Sequence, residues 1–180
     1  MRLTKTFTAV TVAVALTALT GCGGQGEGGP LSALGLPKAD SIAGIEKLIN
    51  KGGTCRELEA GRMGEDADKR LKEPAFAVKE TATCKDERGK YATLLLLSDM
   101  KKFQEANQKA LQGDADFDTG YFVGQDFAVV SGSDDGARGL KQAGLFLMAC
   151  KAEFKAEIPS GYKVNEELVK GCFVTDYLPS

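Results

Sequence analysis

The residues with the most distinctive chemistry in this 180-residue chain are five cysteines, Cys22, Cys55, Cys84, Cys150 and Cys172. The sequence contains no His, so it lacks the usual general base and the commonest metal ligand. Catalytic Ser-His-Asp and Cys-His arrangements and His-bearing zinc sites are therefore excluded within the chain. The cysteines also lack the CxxC spacing of thioredoxin-like motifs and the close pairs typical of an all-cysteine zinc site. We expect structural cysteines and no cofactor.

The first 21 residues have the organisation of a secretory signal. Arg2 and Lys5 supply positive charge, and an apolar run with interspersed Thr occupies residues 7–19. This run is too short for a helix that spans the roughly 30 Å apolar core of a bilayer, but it fits the hydrophobic region of a signal peptide. Removal of residues 1–21 would leave 21 basic and 25 acidic residues, a net charge of −4. This balance predicts no nucleic-acid partner.

The signal segment ends in Leu19, Thr20, Gly21 and Cys22. This tetrapeptide resembles the lipobox of bacterial lipoproteins, in which an apolar residue, a small residue and Gly or Ala precede Cys. The resemblance implies cleavage by signal peptidase II before Cys22 and attachment of a diacylglycerol to its sulfur. The mature chain would then be anchored at the extracytoplasmic face of the cell membrane by long acyl chains such as palmitate, each buried methylene adding about 0.8 kcal/mol. The alternative is an ordinary cleaved signal with an incidental cysteine.

A Gly-rich segment follows, and we assign residues 22–38 to the lipidated cysteine and a flexible linker. Its sixteen residues after Cys22 span roughly 20–24 Å as a random coil. Gly24, Gly26 and Gly29 have the spacing of the dinucleotide-binding fingerprint. That fingerprint requires a strand before it and a helix after it, so we predict no nucleotide site here. Residues 39–180 are predicted to form a single domain.

The hydrophobic pattern of residues 39–180 predicts an α+β domain with the order α-β-β-α-β-β-α. Helices are expected at 40–51, 99–111 and 134–154, and strands at 75–85, 90–97, 121–123 and 127–131. We expect a mostly antiparallel sheet of about four strands with the helices packed on one face. The charged segment 56–73 is predicted to be irregular, and a short helical piece is expected near 166–170.

Four cysteines remain once Cys22 carries lipid, and outside the cytoplasm these are expected to form two disulfides. Three connectivities are possible, of which we favour Cys55–Cys84 and Cys150–Cys172. The first would tie the loop after the first helix to a strand end, and the second would fix the C-terminal tail to the third helix. Each loop closure contributes roughly 3–3.5 kcal/mol in the chain-entropy model.

One acidic segment has oxygen ligands at alternate positions, as calcium loops do. Asp114, Asp116 and Asp118 resemble the start of an EF-hand loop, but Thr119 and Gln125 stand where that motif requires Gly and Glu. We interpret the segment as a solvated loop and predict no metal site, with cation binding by these carboxylates as the open alternative.

Two further clusters have both a functional and a structural interpretation. Asp66 and Asp68 could act as paired carboxylates in glycoside hydrolysis, but a solvated surface segment is the expected role. Aromatic residues gather around the second predicted hairpin, where core packing is expected and an exposed binding patch is the alternative. They are Phe117, Tyr121, Phe122 and Phe127.

Short motifs between residues 41 and 144 form a wider pattern. They are Gly53-Thr54-Cys55 after the first helix, Ala82-Thr83-Cys84 before an apolar strand, and Gly124-Gln125-Asp126-Phe127 before Val129-Val130-Ser131. Together they resemble small, uncharacterised cell-surface lipoproteins of actinobacteria, in which Trp occupies the place of Phe127. The resemblance implies a Cys55–Cys84 bridge and no particular activity.

The sequence therefore predicts a lipid-anchored envelope protein that is not an enzyme. Its domain is expected to bind another envelope protein or a small ligand. Ligand capture for uptake, as a minimal solute-binding component, is the alternative. A His-independent hydrolase that uses a Lys–Ser or Lys–Asp dyad is a third possibility, since spatial neighbours are invisible in a sequence.

Overall fold

Eight antiparallel strands form one sheet in the computed structural model, which describes residues 30–64, 67, 69–113, 120–166 and 168–179. The strand order across the sheet is β1-β2-β3-β5-β4-β6-β8-β7. The strands are β1 Arg56–Ala60, β2 Val78–Lys85, β3 Tyr91–Leu97, β4 Tyr121–Val123, β5 Phe127–Val130, β6 Phe146–Ala149, β7 Val164–Glu166 and β8 Phe173–Thr175.

The helices of the described residues include five α-helices. They are α1 Pro30–Ala33, α2 Ile42–Ile49, α3 Met100–Gly113, α4 Asp134–Gln142 and α5 Ala152–Glu157. Two 3₁₀ helices cover Lys69–Lys72 and Pro74–Phe76. Within these ranges, no helix combines the length and apolar character needed to cross a bilayer.

Both faces of the sheet are buried. Alternation along β3 sends Leu95 and Leu97 to one face, and Leu94 and Leu96 to the other. The first face packs against α1, the 3₁₀ helices and α3, and the second packs against α2, α4 and Phe154 of α5. Burial on both faces explains the unbroken leucine run of β3.

The predicted sheet of about four strands, with helices on one face, is wrong. Helices cover both faces, and the sheet has twice the expected number of strands. β1 was missed because Arg56, Glu57 and Glu59 are charged, a composition suited to an exposed edge strand. β7 and β8 have three residues each. The helical piece expected near 166–170 is wrong for its described residues, because Glu166 ends β7 and residues 168–170 form bends and a turn.

The long helix predicted over 134–154 is two helices with a strand between them. Gly144 adopts φ +88°, which ends α4 in a left-handed cap because Gly lacks a Cβ. The N–H of Leu145 then donates to the carbonyl of Leu140 at 3.1 Å. The apolar residues that follow form β6, whose buried Leu147 and Met148 face opposite sides of the sheet.

The last nine residues assigned to the linker belong to the folded domain. Leu31 and Leu36 are buried in the first core. The backbone N–H of Gln125 donates to Pro37 O at 2.8 Å, and the N–H of Ala39 donates to the Asp126 carboxylate at 2.9 Å. These contacts fix residues 30–38 against the β4–β5 turn.

The structure contains two disulfides, in the connectivity that the sequence analysis favoured. Cys55–Cys84 joins the residue before β1 to β2. Cys150–Cys172 joins the residue after β6 to the residue before β8. The two bridges lie at opposite ends of the sheet because β1 and β2 begin the strand order and β6, β8 and β7 complete it.

Candidate functional site

A cleft of about 1010 Å³ opens between α4, the second face of the sheet and the C-terminal tail. We call it the α4 cleft. Its floor contains Phe122 and Leu147, which are cross-strand partners on β4 and β6. Arg138 and Lys141 line it from α4, and Leu178 lines it from the tail. The cleft therefore combines an apolar floor with a cationic wall.

The first wall, α4, is held by a network around a buried carboxylate. Ser133 caps the helix, because its hydroxyl oxygen accepts from the N–H of Gly136 at 3.0 Å. The same hydroxyl donates to the Asp86 carboxylate, which also accepts the backbone N–H groups of Arg88 and Lys90 at 2.9 and 2.8 Å. Asp86 is only 5% exposed, so these bonds offset the cost of burying it.

A close glycine contact sets the distance between α4 and the turn after α2. A Cβ on Gly139 would lie 2.8 Å from the Cα of Gly53, and a Cβ on Gly53 would lie 3.1 Å from the Cα of Gly139. Both positions are therefore too tight for any larger residue without movement of the backbone. This contact joins α4 to the turn that leads into Cys55.

The second wall is the C-terminal tail, which aromatic contacts hold in place. The rings of Tyr162 and Tyr177 are 5.0 Å apart, and the rings of Phe154 and Tyr177 are 6.1 Å apart. The Lys163 N–H donates to the Asp176 carboxylate at 2.8 Å. Leu178 follows this anchored stretch and is thereby directed to the cleft.

Positive charge predominates along the α4 cleft. Its lining includes two cations, Arg138 and Lys141, and one carboxylate, that of Asp134. Lys141 Nζ lies 5.5 Å from the centre of the Tyr162 ring, a cation–π contact that joins the two walls. The ion pairs found among the described residues do not involve Lys141.

Asp135 lies beside the cleft and is held ionised. The hydrogen bond from Arg138 lowers the pKa of the Asp135 carboxyl below its ordinary value, and the charge of Arg88 adds to this effect. The guanidinium groups of Arg88 and Arg138 thus share one carboxylate. Arg138 therefore lines the cleft as a paired cation, and the ion pairs found among the described residues leave Lys141 as its unpaired one.

The opposite side of α4 carries the reverse charge balance. A smaller pocket of about 230 Å³ lies between α4, the turn after α2 and the β2–β3 turn. Its lining includes Asp86, Glu87 and Asp135 against the single cation Arg138. Of these two openings beside α4, the α4 cleft is therefore the one whose lining has more cations than carboxylates next to an apolar surface.

Several residues singled out in the sequence lie outside the described residues. They are the lipobox residues Leu19, Thr20, Gly21 and Cys22, the acidic residues Asp66, Asp68, Asp114, Asp116 and Asp118, the glycines Gly24, Gly26 and Gly29, and Phe117. Among the residues that the structure does describe, no cluster of three acidic or cysteine side chains is placed to hold a metal.

The aromatic residues around the β4–β5 hairpin are buried in the core. Tyr121, Phe122 and Phe127 are 2%, 4% and 0% exposed, so the exposed-patch alternative is wrong for these three. Phe122 is also one of the residues that line the α4 cleft.

Sequence reasoning missed Arg138, Lys141, Tyr162 and Leu178, which come from three separate segments. Gly144 could have indicated part of this arrangement, because Gly often ends a helix. A helix end there divides the predicted helix 134–154 and places Lys141 near the end of its first part. Comparison of the chain with protein-family models, curated proteins and solved structures found no match.

Proposed function

We propose that this protein is a lipid-anchored protein of the outer face of the cell membrane, whose domain binds a small ligand in the α4 cleft without transforming it. The observation that carries the proposal is the apolar floor of Phe122 and Leu147 beside Arg138 and Lys141. Ligand sites commonly combine an apolar lining with a few fixed polar groups in volumes of about 300–1,000 Å³. The α4 cleft lies at the upper end of that range.

A small ligand fits the described surface better than a flat protein partner. Among the residues that the structure describes, the large hydrophobic side chains classed as exposed are Tyr91 and Tyr162. Tyr91 lies on β3 and Tyr162 lies beside the α4 cleft. Single exposed aromatic residues are ordinary on protein surfaces, whereas docking sites require a contiguous apolar patch.

The proposed location rests on the signal segment and on the cysteines. The lipobox-like residues ending at Cys22 support lipid attachment, and the two disulfides favour an oxidising compartment outside the cytoplasm. The anchor and the binding domain are separate parts of the proposal, so each has its own test.

The binding test uses thermal unfolding of the protein as it is purified from membranes, in phosphatidylcholine nanodiscs. We would screen fatty acids, phospholipids, sugars, amino acids and peptides. A ligand at 100 times its Kd stabilises by about 2.7 kcal/mol, which raises the Tm by roughly 5–11 °C. Ala137→Trp should abolish the shift by filling the cleft, whereas Ala33→Trp, at an exposed position of α1, should retain it. Absence of any shift, or a shift that survives Ala137→Trp, contradicts the proposal.

The anchoring test compares the wild type with Cys22→Ser by intact mass and membrane fractionation. We expect the wild type to carry a diacylglycerol mass increment and to partition with membranes. The variant should lack the increment. An unmodified wild-type Cys22 would overturn the anchor and leave the binding proposal standing.

A further inference from the structure

We propose that the ligand of the α4 cleft is a single-chain anionic amphiphile, namely a long-chain fatty acid. The inference rests on the proposed function, since it names the ligand class of the same cleft. Its basis is the juxtaposition of two kinds of surface: an apolar floor that would take an alkyl chain, and a cationic wall that would take a carboxylate.

The apolar part of the site comes from both walls and the floor. Phe122 and Leu147 contribute the floor, Ala137 lies on α4, and Leu178 and Pro179 lie on the tail. An alkyl chain gains about 0.8 kcal/mol for each methylene fully removed from water. A fully polar ligand such as a sugar would leave these side chains without a complementary surface.

The charged part of the site favours a singly charged head group. The lining contains two cations, Lys141 and Arg138, and one carboxylate, that of Asp134. Lys141 is the stronger candidate for the carboxylate, because Arg138 is already paired with Asp135. The lysine ammonium, located over the Tyr162 ring, remains able to donate to a ligand oxygen.

The two other pockets lack the combination of cationic and apolar side chains that a fatty acid requires. The pocket on the far side of α4 is lined by three acidic residues and one cation, so it would repel a carboxylate. A third cavity, beside α2, has Lys38, Lys47 and Lys51 in its lining but only Ala39 and Leu48 as apolar contributors. The α4 cleft alone among these three combines cationic side chains with an aromatic and aliphatic floor.

The sequence contains no Trp, so the fluorescence of a single introduced Trp reports on its own surroundings alone. Tyr177→Trp places one fluorophore in the tail next to Leu178, at a residue outside the lining of the α4 cleft, and Met63→Trp places one on the opposite face of the sheet. Both proteins, in phosphatidylcholine nanodiscs, are titrated with dodecanoate, dodecanol and acetate. We expect a saturable fluorescence change with dodecanoate for the 177 reporter only, with up to about fivefold weaker binding of dodecanol and no response to acetate.

The charge requirement is tested in the same reporter background. Lys141→Gln should weaken dodecanoate binding about fivefold, whereas Lys102→Gln, at an exposed position of α3, should leave the affinity unchanged. Equal affinity for dodecanol and dodecanoate, or no effect of Lys141→Gln, would overturn the inference. If only another ligand class raises the Tm, and Ala137→Trp abolishes that rise, the fatty-acid inference fails but the proposed ligand-binding function survives. If no ligand binds, both the inference and the proposed function fail.

A second measurement covers the case in which Tyr177→Trp does not fold. The wild-type protein is crosslinked with a diazirine-bearing fatty acid and digested, and the labelled peptides are identified by mass spectrometry. Labelling at residues of the α4 cleft, competed more strongly by dodecanoate than by dodecanol, is the expected result. Labelling spread evenly over the domain contradicts the inference.

Discussion

The two disulfide-bridged ends of the sheet are built differently. At the Cys55–Cys84 end, β2 and β3 have eight and seven residues and pair along almost their whole length. At the Cys150–Cys172 end, β6, β8 and β7 have four, three and three residues. The first bridge therefore adds to a long hydrogen-bonded ladder, whereas the second bridge holds strands that are too short to be stable alone.

The α4 cleft lies between these two regions. Its α4 wall is attached to the first region, through the Gly53–Gly139 contact and the Ser133–Asp86 hydrogen bond. Its tail wall continues from β8, which the second bridge secures. The α4 wall is thus attached to the longer strands, whereas the tail wall depends on short strands, the aromatic contacts of Tyr177 and the second disulfide.

The largest expected effect follows removal of the second bridge. By chain entropy the two bridges contribute similar amounts, about 3.4 kcal/mol for Cys150–Cys172 and about 3.6 kcal/mol for Cys55–Cys84. We expect each double Cys→Ala variant to lose roughly 3 kcal/mol in urea unfolding. Only Cys150→Ala with Cys172→Ala should also accelerate hydrogen exchange over residues 164–179 and abolish ligand-induced stabilisation. Equal loss of binding in both variants would contradict the comparison.

A smaller effect is expected when the α4 wall is displaced. Gly139→Ala introduces a Cβ 2.8 Å from the Cα of Gly53, and overpacking of this kind costs about 1–3 kcal/mol. Urea unfolding should show this loss, with weaker ligand binding in the folded variant. Gly113→Ala is the matched control, because a Cβ there meets nothing within 4 Å. Unchanged stability of Gly139→Ala would mean that the glycine contact does not fix α4.

Substitution of two N-cap serines, both in helices on the same face of the sheet, measures how much the Asp86 hydrogen bond contributes to stability. Ser41 caps α2 and Ser133 caps α4, each accepting from the N–H three residues later. Ser41→Ala should cost about 1 kcal/mol. Ser133→Ala should cost about 1–2 kcal/mol more, because it also removes a donor to the buried Asp86. Equal losses in urea unfolding would show that the Asp86 bond adds nothing to the cap.

The smallest expected effect concerns an exposed ion pair of the first region. The hydrogen bond to Glu57 raises the pKa of Lys85 above its ordinary value of 10.5. The pair's stabilisation is therefore fully present below pH 10.5 and is lost as the pH rises through the raised value. Glu57→Gln should lower the Tm slightly at about pH 8, and the difference from wild type should shrink at about pH 11. A constant difference at both values would contradict this assignment.

Local sequence patterns were sufficient where neighbouring residues determine the structure. The β2–β3 and β4–β5 hairpins and helix α2 lie where periodicity and turn residues predicted them. The fold as a whole was predicted wrongly, because β1, β7 and β8 are short or charged and are strands only through their partners. The α4 cleft could not be predicted, because Lys141, Leu147 and Leu178 lie in three separate segments of the chain. They become neighbours only when α4, β6 and the tail pack together.

The sequence alone determined the absence of His chemistry, the position of Cys22 directly after Leu19, Thr20 and Gly21, and the supply of four further cysteines, because these are properties of residue type and local spacing. Only the tertiary structure decided that helices cover both faces of the sheet and that α1 belongs to the core. It also decided that Lys141 stands beside an apolar floor. Burial and charge balance depend on which distant segments pack together, and that packing is a property of the whole chain.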